Sequence, residues 1–223
     1  SEATIVDYNR SGTPLIEIVT EPDIRSPEEA REYLIALRNL ILFLDVSDCS
    51  MEEGSLRCDA NVSIRERNSS KIGTKTEIKN LNSFKFLQKG LEYEIKRQIK
   101  VVESGDRVIQ QTRHYDSRTG TTKAMRSKEE AQDYRYFPEP DLVPICLKDE
   151  TIEGIRKTIP ELPLAKARRL EEKYGLPAED SRFLANNREI ADYFEECCRY
   201  YDKPKNIANW IMGDFSALLN KER

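Results

Sequence analysis

The sequence predicts an α+β fold, an antiparallel sheet with helices on one face, followed by a small all-helical domain. Three observations lead there. Residues 56–64 and 74–80 alternate at the period of a strand around a turn-forming stretch. Two long amphipathic segments, opening at Ser26 and Ser83, repeat at the period of a helix. Beyond the proline-rich stretch at residues 136–144, strand signals vanish. The expected division is 1–143 for the sheet-bearing domain and 144–223 for the helical one.

Residues 3–8 read as a strand, and residues 15–19 as a buried strand with Glu17 as its one charged residue. Ser26 then caps a helix, with Pro27 at the first helical position and Glu29 where a capping box wants an acid. Ala30, Tyr33, Leu34, Leu37, Ile41 and Leu44 form its apolar stripe. Next comes the most informative segment. In residues 56–64, Leu56, Cys58, Ala60, Val62 and Ile64 point one way, whereas Arg57, Asp59, Asn61 and Ser63 point the other. In residues 74–80, Lys75, Glu77 and Lys79 share a face. A hairpin around residues 68–73 brings both signs of charge onto one sheet surface, suited to phosphates and their accompanying cation. The same pattern also fits a salt-bridged, solvent-exposed sheet face.

Ser83 opens the second helix, with Phe84, Leu87, Leu91 and Ile95 on its inner side, and Gly105-Asp106 ends it. Residues 108–115 and 121–125 read as a further hairpin around 116–120. Pro138, Pro140 and Pro144 stiffen a linker. Helices follow at 149–158, 163–174, 178–185, 187–201 and 204–220, separated by Pro160, Pro163, Gly175-Leu176-Pro177 and Pro204.

Composition narrows the function. Charged residues make up 34% of the 223, yet the net charge is only −4 and the sequence pI about 5.4. That is no basic nucleic-acid footprint, so an RNA partner would be held by local patches and shape. The five cysteines, at 49, 58, 146, 197 and 198, have no CxxC spacing. They fit a reducing cytosol better than a disulfide scaffold or a zinc cluster. Cys197 and Cys198 read as helix packing, and the single histidine, His114, is assigned no catalytic role. No apolar run is long enough to span a membrane. Neither a Walker loop nor a GxGxxG motif is present, so an ATP site would be built from a sheet surface. Glu17 in an apolar strand needs a partner, either a structural one such as Arg10 or Arg57, or a cation shared with Asp59 and Glu77. Arg126, Lys128 and Arg135 fit phosphate contact and linker anchoring equally.

Several strings together resemble the family of B subunits of bacterial-type aspartyl/glutamyl-tRNA amidotransferases. They are DYNR (7–10), GTPLIEIV (12–19), EPD (21–23), MEEGSLRCDANVS (51–63), EIKNLNS (77–83), MRSKE continuing to Pro144 (125–144), IPELP (159–163) and NWIMG (209–213). The resemblance implies a cradle-shaped catalytic domain, similar in fold to glutamine synthetase, joined to a helical domain. It implies a cytoplasmic ligase that uses ATP and Mg²⁺ to phosphorylate the side-chain carboxylate of Glu or Asp misattached to tRNA(Gln) or tRNA(Asn). Ammonia, made from glutamine by an A subunit, then displaces the phosphate, and a small C subunit straps the other two together. By resemblance Glu17 is a metal ligand, with Asp59 and Glu77 as acidic residues of the same pocket and candidates for the catalytic proton transfer. The alternating pattern adds Arg57, Lys75, Lys79 and Asn80 for ATP or phosphate contact. The family also has an N-terminal part and a C-terminal tail domain, so the chain reads as a fragment.

Two other readings compete. An archaeal-type subunit carries an inserted domain, for which residues 142–152 leave no room. A non-catalytic tRNA-binding scaffold of the same fold would not need Glu17, Asp59 and Glu77; a free-standing small-molecule ligase would not need the helical part.

Overall fold

The computed structural model describes residues 5, 7–9, 12–125 and 143–221. Helix α1 (Pro27–Phe43) begins as its capping sequence demands: Ser26 Oγ accepts the Glu29 N–H at 3.1 Å, and Glu29 reaches back to the Arg25 N–H at 2.6 Å. Strands β1 (Ala60–Val62) and β2 (Thr76–Lys79) pair antiparallel, with Asn61 opposite Glu77, so the hairpin forms around the expected loop. Inside that loop Gly73 lies against the Ile64 carbonyl; a Cβ there would sit 2.0 Å from the oxygen. Helix α2 (Phe84–Glu103) starts at Ser83, whose Oγ accepts the Phe86 N–H at 3.1 Å. Strands β3 (Gln111–Asp116) and β4 (Thr121–Ala124) form the second hairpin.

The sheet runs β1-β2-β3-β4 and is mixed, not antiparallel as the local hairpins predict. β2 and β3 are parallel neighbours, Glu77 beside Thr112 and Lys79 beside His114. The cause is α2. A two-residue turn would have reversed the chain, whereas the connection over residues 80–110 carries it back to the same end of the sheet. α1 and α2 pack on each other, and α2 lies against β1 and β4. The core between them contains Ala30, Leu34, Ile78, Leu81, Leu87, Leu91 and Tyr115. Full burial of each large apolar side chain contributes roughly 1.5–3 kcal/mol.

Residues 15–19 depart from expectation. They form no strand, and Leu15 and Val19 are 90% and 80% exposed. An apolar run calls for burial but does not supply a neighbour; no described strand pairs with this segment, and its residues are exposed. Of residues 3–8, those at 5, 7 and 8 are described and not in a strand.

From residue 149 onward all regular structure is helical among the described residues. α3 (Asp149–Thr158), α4 (Pro163–Tyr174), α5 (Ala178–Ala185), α6 (Arg188–Tyr200) and α7 (Pro204–Trp210) match the expected segments closely. Gly175, at φ +64°, supplies the left-handed residue that ends α4 before Pro177. The last segment is not one regular helix: a π-helical turn (Ile211–Phe215) separates α7 from α8 (Ser216–Lys221). Leu170, Leu176, Leu184, Phe194, Ile207, Ala208 and Ile211 make a second core, with Cys197 and Cys198 packed at its edge.

Candidate functional site on the outer sheet face

Strand alternation separates the sheet's two faces. Ile78 and Tyr115 are buried toward the helices, and with them lie Thr76, Arg113 and Thr122. On the opposite face stand Asp59, Asn61, Glu77, Lys79, Thr112, His114, Asp116 and Lys123. Here the expected charges meet. Lys79 Nζ lies 3.2 Å from Asp59 Oδ2 and 3.4 Å from Glu77 Oε1, bridging β1 and β2. The hydrogen bond to Asp59 pushes the Lys79 ammonium above its ordinary range. All three side chains stay accessible, at 48% for Asp59, 32% for Glu77 and 43% for Lys79.

The second oxygen of Glu77, Oε2, accepts the Thr112 hydroxyl at 2.7 Å. Asn80, at φ +69°, turns the chain out of β2. Its amide donates to the Tyr115 carbonyl at 2.9 Å, sits 3.2 Å from His114 Nε2 and accepts from Asn82 at 3.0 Å. At the far edge, Lys123 pairs with Asp116 at 2.8 Å; that bond, with backbone N–H donors from Thr119 and Arg118, holds the Asp116 carboxyl well below its usual range.

Arg57 and Lys75 are exposed and join no ion pair among the described residues. Glu17 is exposed too, and no hydrogen bond or ion pair links it to Asp59 or Glu77. Among the described residues no three His, Cys, Asp or Glu side chains are grouped to hold a metal ion. Asp59 and Glu77 share an ammonium instead. Arg126, Lys128 and Arg135 lie outside the described residues.

The helix-facing side holds a cluster that sequence reasoning alone misses. Glu94 of α2 is fully buried. Its carboxylate accepts from Arg97 at 2.6 and 3.0 Å and from Thr122 at 2.7 Å, with Arg113 Nε 3.3 Å away. Burial alone would raise this carboxyl; the hydrogen bonds from Arg97, Thr122 and Gln98 outweigh it and hold it below its ordinary value. Arg113 also binds Thr122 through its hydroxyl at 2.9 Å and its carbonyl at 2.7 Å, tying β3 to β4. A signal did exist: Leu87, Leu91, Glu94 and Gln98 continue one helical stripe at spacings of four, three and four.

The helical part has its own ion cluster, Arg169 clamped between Glu161 at 2.7 Å and Glu195 at 2.6 Å. A cleft of about 610 Å³ there is lined by Tyr193, Tyr200, Tyr201, Trp210 and Phe215, among others, and contains none of the sequence-predicted site residues.

Residues 1–153, which contain the whole sheet and its outer face, match the GatB/GatE catalytic domain family. The chain belongs to that family. Curated relatives of this GatB/GatE catalytic-domain chain are named as the B subunit of aspartyl/glutamyl-tRNA(Asn/Gln) amidotransferase. The protein from Thermoanaerobacter sp. (strain X514) is 55% identical over 221 residues, covering 99% of this chain and 46% of the relative. That from Moorella thermoacetica is 57% identical over 217 residues, 97% of this chain and 46% of the relative. That from Carboxydothermus hydrogenoformans is 58% identical, with 97% and 45% covered. The chain thus spans a little under half the length of these relatives.

Proposed function

We propose that this chain is part of the B subunit of a tRNA-dependent amidotransferase, an ATP-dependent carbon–nitrogen ligase, and that its outer sheet face takes part in the chemistry. The observation that carries the reading is the Asp59–Lys79–Glu77 bridge. It is a compact, accessible set of both charge signs within residues that match the family's catalytic domain. The proposed substrates are glutamyl-tRNA(Gln), aspartyl-tRNA(Asn) or both, and the proposed partners are a glutaminase A subunit and a C subunit.

A carboxylate is a poor electrophile. Transfer of the terminal phosphoryl group of ATP to the side-chain carboxylate gives an acyl phosphate, whose carbonyl carbon ammonia can attack. The C–N bond forms, the C–O bond to phosphate breaks, phosphate leaves, and the nitrogen sheds a proton. Asp59 and Glu77 are the proposed acceptors for that proton. Lys79, Arg57 and Lys75 offset the phosphate charge. Asn80 is the fourth of this group; its amide donors are already directed to Tyr115 and His114, so a nucleotide contact would displace one of them.

Mg²⁺ is the proposed companion of ATP, with Glu17 as a ligand. Among the described residues, Asp59 and Glu77 are joined by no third His, Cys, Asp or Glu that would complete a divalent-cation site. We further propose that the sheet-bearing part belongs to a cradle-shaped, glutamine synthetase-like domain ending at residue 143, and that the protein works in the cytoplasm. The reading is tested on the full-length B subunit assembled with its partners, supplied with glutamyl-tRNA(Gln), ATP, Mg²⁺ and ammonium chloride. Glu17→Gln and Glu77→Gln are expected to lose amide formation while keeping tRNA binding. Undiminished amide formation by both variants would overturn the site assignment and favour a tRNA-holding scaffold.

A further inference from the structure

We infer that Thr112 is a positioning residue for Glu77, fixing which of its carboxylate oxygens faces the reaction; this rests on the role proposed above for Glu77. The two oxygens of Glu77 are not equivalent. Oε2 accepts the Thr112 hydroxyl at 2.7 Å, a short and well-formed bond. Oε1 faces the Lys79 ammonium at 3.4 Å, a looser contact to a side chain that also binds Asp59. Thr112 therefore occupies one oxygen and leaves the other as the one that can exchange partners.

The donor is held firmly for three reasons. Thr112 stands directly beside Glu77 in the parallel β2–β3 register, so no long side chain has to be ordered to make the contact. A β-branched residue in a strand has little χ1 freedom, so the backbone aims the hydroxyl. The backbone is pinned in turn: the Thr112 carbonyl accepts the Met125 N–H at 3.0 Å. Its neighbour Arg113 is tied beneath the sheet to Thr122 and Glu94. The buried cluster thus reaches the outer face through one step of strand alternation, Arg113 inward and Thr112 outward.

The test compares Thr112→Val, which keeps the strand-compatible shape and removes the donor, with Thr112→Ser, which keeps the donor. Glu77→Gln runs alongside, all in the full-length assembled enzyme driven by ammonium. Thr112→Val is expected to lower kcat about tenfold with KM for ATP and aminoacyl-tRNA within about twofold, the pattern of a group acting through its neighbour. Thr112→Ser should recover most of the lost kcat, a rescue that a purely packing role would not produce. If Glu77→Gln is inactive but Thr112→Val turns over like wild type, or Thr112→Ser is no better than Thr112→Val, the positioning role is wrong and Glu77 keeps its own. If Glu77→Gln is itself fully active, both assignments fall together.

Discussion

The two faces of the four-stranded sheet carry the same kinds of charge and use them oppositely. Outside, Lys79 bridges Asp59 and Glu77 across contacts of 3.2 and 3.4 Å that water can reach. Inside, Glu94 is fully buried and its oxygens accept from Arg97, Thr122 and Gln98. An exposed pair of this kind contributes about 0–1 kcal/mol, because solvent screens the attraction and ordering two side chains opposes it. A buried charge stripped of its partners costs several kcal/mol. One face is therefore free to exchange partners, while the other holds the strands in register. This division lets β2 and β3 present Lys79, Glu77 and Thr112 on the outer face, where we propose that the chemistry takes place, without depending on their ion pairs for the fold.

The largest effect is expected from removing Glu94. Glu94→Ala leaves Arg97 and Arg113 without their shared carboxylate and should destabilise the protein by about 3–5 kcal/mol in urea unfolding. Acid gives a related, milder effect. Because the folded pKa of Glu94 is the lower one, the unfolded chain takes up the proton first as pH falls. Its contribution is full above the unfolded carboxylate range, near about pH 4.3, and is lost as pH drops through the folded value. Urea midpoints measured from pH 7 to 3 should show that slope in wild type and a shallower one in Glu94→Gln. Gly73→Ala tests the hairpin loop that joins β1 to β2. With a Cβ 2.0 Å from the Ile64 oxygen, the loop must shift, costing about 1–3 kcal/mol in the same assay. Smallest should be Lys79→Met, whose unfolding free energy should stay within about 1 kcal/mol of wild type.

Much of this is legible in the sequence, and what is not has identifiable causes. The Ser26-Pro27-Glu29 cap, the two hairpins and the outer row of Asp59, Glu77 and Lys79 follow from local chemistry, since each is decided within a few residues. The end of α3, the boundaries of α4 and the start of α5 do too, set by Pro160, Pro163, Gly175 and Pro177. The parallel pairing of β2 with β3 is a property of the whole connection through α2, invisible in either strand alone. Residues 15–19 show the opposite error, where an apolar pattern suggests burial though burial needs a neighbour. Glu94 is hidden because a charge in a helical stripe reads as a flaw until Arg113 and Thr122, far along the chain, are seen to meet it. The π-helical turn at Ile211–Phe215 has Gly213 at its centre, but one glycine in a helical pattern does not by itself predict a widened turn. At the candidate site, Asp59, Glu77 and Lys79 come together as expected. Glu17 does not join them, and Thr112 becomes visible only once the strand register is known.

The most direct test of the division between the two faces is Asp59→Asn in the full-length assembled enzyme, with melting temperature and ammonium-dependent amide formation read on the same preparation. Asp59→Asn is expected to melt within a few degrees of wild type and to form amide at least about a hundredfold more slowly. Wild-type turnover in that variant, or a collapse of stability as large as that of Glu94→Ala, would contradict the division.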